Sequence, residues 1–304
     1  MNRARFAYCI AIAVLVALML PMSAGAISTI VFEGAGADAA SIQPLVEAFR
    51  AALGNPNNGD NPGPLFTGRR EINWDAGGQA VTVSNAGTAD RVGAFDAFLN
   101  NRGALFTSLV GPFPPHPQNE PNQFVQAPPS GGPQGGLATL FGNPSLSDLK
   151  TFSDPRLFAQ LNPRLINVDF FVPGTNGGVP ATVTGFGAVF SDVDLSANAF
   201  LSFKNANGVS LGEFNPLAAN NGLSFLGVIF PGELISQVAI GSGNSFPFGE
   251  GGSDCGLTPC DFVAMDDFLF REPAPVVPEP TTLLLFGSTM AGLGLAHWRR
   301  RRQS

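Results

Sequence analysis

Short apolar runs recur through the second half of the chain, some strictly alternating with polar residues and some continuous, and Gly, Pro and Asn separate them. Runs of this length with such boundaries are typical of β-strands. Asn205 to Gly208 predicts a hairpin turn, because Asn and Gly tolerate the positive φ that tight turns need. No helical pattern separates the runs, so they predict an antiparallel β-sandwich. The predicted strands are 165–172, 181–190, 199–204, 209–214, 222–230, 234–240 and 262–270.

The first half of the chain has a weaker strand pattern and one helical one. Residues 41–53 predict an amphipathic helix that packs on the sandwich, with Pro44 in its first turn and Gly54 after its end. Residues 111–136 contain eight prolines and five glycines and predict a loop. Further strands are predicted at 28–32, 72–74 and 80–84.

The N-terminal 26 residues have the three parts of a signal peptide. Two arginines precede an apolar run at 6–20, and Ala24 and Ala26 supply the small residues that signal peptidase needs at positions −3 and −1. We expect cleavage after Ala26 and export of a domain spanning 27–272. The alternative is a retained N-terminal anchor.

The C-terminal end has a pattern typical of a second targeting segment. A linker at 273–280 ends in Pro278, Glu279 and Pro280, and 281–297 is uncharged and largely apolar. Seventeen helical residues span roughly 25 Å, a marginal crossing of a hydrocarbon core of about 30 Å. The segment 281–304 therefore predicts a transmembrane helix whose basic cluster stays on the cytoplasmic side. That cluster is Arg299, Arg300, Arg301 and Arg302.

The predicted exported domain is strongly acidic. Six of the 16 basic residues lie in the two terminal segments, as does one of the 23 acidic residues, so 10 basic and 22 acidic residues remain and the net charge is −12. Such a surface repels nucleic acid and anionic polysaccharide unless divalent cations bridge the charges. We therefore expect no nucleic-acid partner and consider calcium as a ligand.

Common catalytic patterns are absent from the sequence. The predicted exported domain has a single histidine, His116, which lies in the predicted loop. A Ser/His/Asp or Cys/His arrangement would have to use this residue as its base. One histidine also cannot build a typical zinc site. A pair of carboxylates could still form a glycoside hydrolase, although Trp74 is the only tryptophan available to stack a sugar. We expect no catalysis and keep the hydrolase as a second alternative.

Two cysteines remain after the predicted leader is removed. Cys255 and Cys260 flank four residues, and in an oxidising compartment this pair is expected to close a small disulfide loop. Free or metal-bound thiols are the alternative.

Calcium is the most plausible metal, because hard cations take carboxylate and backbone oxygens. Asp192 and Asp194 begin a pattern that matches the first half of an EF-hand loop, but Ala197 and Phe203 break the second half. The alternative is that these acids are solvated strand ends, with one of Asp266 and Asp267 facing outward by alternation. The predicted calcium ligands are Glu33, Asp192, Asp194, Asp266 and Asp267.

The order and spacing of Pro278-Glu279-Pro280, the short apolar segment and the arginine cluster resemble the PEP-CTERM sorting domain of Gram-negative exopolysaccharide producers. The resemblance implies recognition and cleavage near Pro278 to Pro280 by an exosortase, a membrane protease. The segments 185–190, 224–228 and 265–268 also resemble a layout found in exported PEP-CTERM proteins, which implies a jelly-roll or lectin-like sandwich. An ordinary C-terminal membrane anchor is the alternative.

The predicted function is that of an exported cell-surface or extracellular-matrix structural protein. Its expected partners are signal peptidase, an exosortase and the inner membrane during transit. The first alternative is a calcium-dependent module that binds exopolysaccharide.

Overall fold

The structure, a computed structural model, describes residues 29–85, 94–108, 123–162, 165–231, 234–245 and 261–276. In these ranges the helices are α1 (Ala39–Leu53), α2 (Leu99–Arg102) and α3 (Gly136–Phe141), with 3-10 turns at Pro144–Ser147 and Ser196–Asn198. The strands are β1 (Ile30–Gly36), β2 (Arg69–Ile72), β3 (Thr82–Asn85), β4 (Ala94–Phe95), β5 (Ala104–Ser108), β6 (Gln123–Ala127), β7 (Leu157–Asn162), β8 (Leu165–Phe170), β9 (Ala181–Thr182), β10 (Gly185–Val193), β11 (Phe200–Asn205), β12 (Ser210–Phe214), β13 (Ala219–Ile229), β14 (Ile235–Gly241), β15 (Ala264–Arg271) and β16 (Ala274–Pro275).

The strands form two large sheets and one small one. Sheet 1 has the order β1-β13-β10-β15-β7-β6-β3, and β2 also pairs with β15. Sheet 2 has the order β12-β11-β14-β8-β5-β4. The small sheet consists of β16 paired with β9. The pairings between these strands are all antiparallel. The predicted all-β antiparallel architecture is therefore confirmed.

The main hydrophobic core lies between the two large sheets. Phe186, Phe190 and Phe268 of sheet 1 belong to the same buried cluster as Val168 and Phe203 of sheet 2. Burying apolar side chains from facing sheets is what stabilises a β-sandwich. Many phenylalanines of this chain lie in this cluster, and they provide the apolar burial that its glycines and prolines do not.

Helix α1 covers the outer face of sheet 1. Its apolar side chains pack on Val189, Leu223, Phe225 and Leu269, so the central strands of this sheet are buried on both faces. The predicted apolar face of the helix is confirmed, and Gly54 caps its end. The helix starts at Ala39 because the Asp38 carboxylate accepts from the Ser41 N–H at 2.9 Å. Pro44 is consequently in the second turn.

Two glycines allow α1 to approach the sheet closely. Gly187 and Gly227 lie opposite each other on β10 and β13. A Cβ atom at either position would be only 2.8 or 2.7 Å from the ring of Phe49. The absence of side chains at these two positions therefore creates the space that the Phe49 ring fills.

The predicted hairpin between β11 and β12 is confirmed. Asn205 accepts from the N–H groups of Asn207 and Val209 through its side chain, and Gly208 has a φ of 75°. The predicted loop at 111–136 is wrong in part, because β6 and the start of α3 fall inside it. Strand β6 forms there because it pairs with both β3 and β7.

The folded domain continues past residue 272. Strand β16 pairs with β9, and the Val276 N–H donates to the Pro180 carbonyl at 3.2 Å. Among the residues that the structure describes, no helix is long and apolar enough to span a membrane. The predicted transmembrane segment at 281–304 lies outside those residues.

Candidate functional site

Several predicted site residues lie outside the residues that the structure describes, and their structural roles stay predictions. They are Ala24, Ala26, Cys255, Cys260, Pro278, Glu279, Pro280, Arg299, Arg300, Arg301 and Arg302, together with His116.

The five predicted calcium ligands do not form one cluster. Glu33 is exposed on β1, at the edge of sheet 1. Asp266 and Asp267 lie on β15, three strands away in the sheet order, and Asp192 and Asp194 lie at the end of β10. Within the described ranges, no group of three or more His, Cys, Asp or Glu side chains is arranged to hold a metal ion.

Asp266 and Asp267 bind protein donors in a buried site. Asp266 accepts from the backbone N–H groups of Phe152 and Ser153 at 2.7 and 3.1 Å, and Asp267 accepts from the Ser153 hydroxyl at 2.6 Å. Arg50 of α1 lies 3.0 Å from Asp267. Burial is the main cause that raises the pKa of Asp266, and the neighbouring Asp267 charge raises it further. This pair holds the 152–153 loop and α1 against sheet 1.

Both carboxylates are buried because the strand is irregular between them. Asp266 is opposite Val189 and Phe268 is opposite Ala188, so Asp267 is an extra, unpaired residue in β15. A bulge of this kind breaks the alternation of side chains between the two faces. The expectation that one of the two carboxylates faces outward therefore fails. Neither presents an open surface for an acid/base pair, since they are 0% and 3% exposed.

Trp74 is part of the core. Only 1% of the residue is exposed, and its ring stacks on Phe158 with centroids 4.2 Å apart. The rings of Phe98, Phe106 and Phe268 meet it edge-on. The ring therefore has no face available for stacking a sugar.

A cleft of about 470 Å³ lies on the outer face of sheet 2. Asp169, Gln237 and Lys204 line it from three neighbouring strands and are directly opposite one another in the register. Gln237 donates to Asp169 at 2.8 Å. Burial raises the pKa of Asp169, against the opposing effects of Gln237 and Lys204. The cleft thus offers donors and acceptors side by side, with Phe171 and Pro180 at its border.

A second site lies at the end of β10, where the charges of Asp194 and Asp192 act on the carboxylate of Asp261. Asp192 follows a register shift in β10, has a φ of 66°, and accepts from the Asn221 N–H at 2.6 Å. Asp261, which precedes β15, accepts from the Leu195 N–H at 2.9 Å. Sequence reasoning missed Asp261, which has no spacing pattern with the other acids. Asp261 lies beside Asp194 because β10 pairs with β15.

Comparison with known proteins identifies the C-terminal segment. Residues 276–302 match the family model of the PEP-CTERM protein-sorting motif. No curated protein matches the chain. Among solved structures, the K2 cleaved adhesin domain of Lys-gingipain aligns with 67% of this chain and 99% of its own, at 10% identity and a TM-score of 0.25. A score this low says nothing about function. The chain carries a PEP-CTERM protein-sorting motif after a β-sandwich-like all-β domain, and this motif marks it as an exported protein sorted by an exosortase.

Proposed function

We propose that this protein is a non-catalytic structural protein of the cell surface or extracellular matrix, with a jelly-roll-like sandwich and a tail that an exosortase removes. In this proposal a signal peptide directs export, 281–304 anchors the chain in the inner membrane for a time, and cleavage near Pro278 to Pro280 releases it. Cys255 and Cys260 form a disulfide in the oxidising compartment.

The observation that carries the proposal is the position of the sorting motif relative to the fold. The match begins at Val276, and Val276 is the residue directly after β16. The sorting motif therefore begins directly after the last strand that the structure describes. Such an arrangement suits a domain that is presented outside the membrane and then cut from its anchor.

The intact mass of the exported protein tests the processing step. In a host with the exosortase we expect a C-terminus near Pro278 to Pro280, and in a host without it we expect the tail to be retained. Glu279→Ala should also retain the tail, because it removes the only charge of the recognition element. Gln303→Ala, outside the matched motif, is the control and should be cut normally. A wild-type chain that ends at Ser304 in the exosortase host contradicts the proposal.

A second candidate function is saccharide binding in the cleft on sheet 2. The row of Asp169, Gln237 and Lys204 supports it, because adjacent amide, carboxylate and ammonium groups can hydrogen-bond to sugar hydroxyls. The described residues that line the cleft include no tryptophan or tyrosine, so recognition would depend on these polar groups. Calcium could add hydroxyl coordination, as in the calcium-dependent module considered above.

Titration with the exopolysaccharide of the producing strain tests this function. We expect Gln237→Ala to weaken binding about tenfold, corresponding to about 1.4 kcal/mol for the hydrogen bonds it loses. Ser202→Ala lies on the same sheet outside the cleft lining and should bind like the wild type. Loss of binding on chelation would make the module calcium-dependent. Equal binding by Gln237→Ala and wild type would exclude the cleft.

A further inference from the structure

The end of the sandwich at β10 contains buried oxygens that have no hydrogen-bond donor. Among the described residues, nine buried side-chain nitrogen or oxygen atoms lack a hydrogen-bond partner. Three of the nine belong to this one place: Oδ1 of Asp194, Oδ1 of Asp261 and Nδ2 of Asn198. Buried polar groups are normally satisfied, so a concentration of unsatisfied ones needs a physical reason.

The carboxylate of Asp261 is directed into this place. The residue is 0% exposed, and its Oδ2 accepts from the Leu195 N–H in the segment between Asp194 and Asn198. Its other oxygen, Oδ1, has no hydrogen-bond partner among the residues that the structure describes. Leaving one oxygen of a buried carboxylate without a hydrogen-bond partner is costly, so this geometry favours a positive ligand.

The charges around Asp261 lack a cationic partner among the described residues. Burial, and then the charges of Asp194 and Asp192, raise the pKa of Asp261 to about 6, although the N–H groups of Leu195 and Asp194 oppose this shift. Burial also raises the pKa of Asp194. Neither Asp194 nor Asp261 takes part in an ion pair of the described side chains.

We propose that Asp194 and Asp261 bind one calcium ion through their unpartnered oxygens. Asn198 would supply its amide oxygen, since the two ends of an amide are assigned from the hydrogen-bond network and can be exchanged by a flip. Asp192 already accepts from Asn221 and contributes charge. Calcium accepts six to eight oxygens in flexible geometry, so backbone carbonyls and water complete the shell.

The ion would join parts of the chain that are distant in sequence. Asp194 and Asn198 follow β10, and Asp261 precedes β15 on the far side of the 246–260 segment. A shared calcium ion would therefore stabilise the end of sheet 1. This role goes beyond sorting and does not depend on the cleft.

Calorimetric titration of the chelator-treated exported protein with calcium chloride tests the proposal. We expect one ion per chain at this site, with affinity in the range of extracellular calcium modules, about 10⁻⁴ to 10⁻³ M. Asp261→Asn and Asp194→Asn should each weaken it at least tenfold. Asp60→Asn, at an exposed aspartate that pairs with Arg102, is the matched control and should bind normally.

Thermal unfolding separates a lost ligand from a damaged fold. At a calcium concentration a hundredfold above the Kd, the wild type should unfold about 5–10 °C higher than with chelator, and Asp261→Asn should lose this shift. With chelator at pH 8, Asp261→Asn should unfold at a higher temperature than the wild type, because it no longer buries a charge. A full calcium shift in Asp261→Asn, or none in the wild type, overturns the proposal.

Discussion

Glu272→Ala is expected to lower the free energy of unfolding by about 3–5 kcal/mol. Glu272 binds the Arg70 guanidinium through two hydrogen bonds of 2.6 and 2.8 Å, and both side chains are almost completely buried. Removing the carboxylate would leave a positive charge whose remaining partners, in the part of the chain that the structure describes, are the carbonyls of Gly59, Asn61 and Asn101. Urea unfolding of the exported protein measures the loss.

Two further variants separate charge from geometry in this pair. Glu272→Gln keeps a hydrogen-bond acceptor of similar shape and should lose less than Glu272→Ala. Asp60→Ala breaks the ion pair between Asp60 and Arg102. Because the Asp60 side chain is 63% exposed, this change should lower the free energy of unfolding by no more than about 1 kcal/mol. If Glu272→Ala costs as little as Asp60→Ala, the pair does not hold β2 and the end of β15 together.

Trp74→Ala is expected to destabilise the exported protein by about 3–5 kcal/mol, because it opens a large cavity among packed rings. The indole contacts phenylalanines of β5, β7 and β15, so it joins the two large sheets. Trp74→Phe should lose less, since it keeps an aromatic ring and removes an Nε1–H that has no hydrogen-bond partner within the described ranges. Urea unfolding followed by circular dichroism compares the variants.

Phe66→Ala is the matched control for Trp74, because Phe66 is 97% exposed. It should change the unfolding free energy by no more than about 0.5 kcal/mol. Trp74→Phe should bind saccharide like the wild type, because Trp74 does not line the cleft. An unaltered stability of Trp74→Ala would contradict its place in the core.

The central strands of sheet 1 could be predicted because both of their faces are buried. The parts of β10 at 185–190 and of β13 at 225–229 are nearly continuous apolar runs, since α1 covers one face and sheet 2 the other. The helix was predictable for a similar local reason, as its apolar positions recur at helical spacing. Its start was misplaced by two residues because the Asp38 cap was not recognised.

Strand β2 could not be predicted in full from its own residues. Its sequence, Arg-Arg-Glu-Ile, is polar, and β-strands of this kind usually suggest an exposed edge. Arg70 is nevertheless buried, because Glu272 is brought to it from 202 residues away. A local pattern cannot show that a buried charge will find such a partner.

The acidic residues illustrate the same division. Their types and spacing suggested oxygen ligands for a cation, but nothing in the spacing indicated which would meet. A bulge buries Asp266 and Asp267 together with Ser153 and Arg50, whereas the pairing of β10 with β15 brings Asp261 to the loop of Asp194. Grouping of side chains far apart in sequence is set by strand register.

The sequence by itself determined the sorting motif at 276–302, the all-β class and the hairpin at 205–209, because each depends on contiguous residues and their local conformational preferences. The tertiary structure alone decided that Trp74 is buried, that Arg70 pairs with Glu272 and that Asp261 lies beside Asp194. These contacts join segments distant along the chain, and they exist only once the sheets have paired and packed.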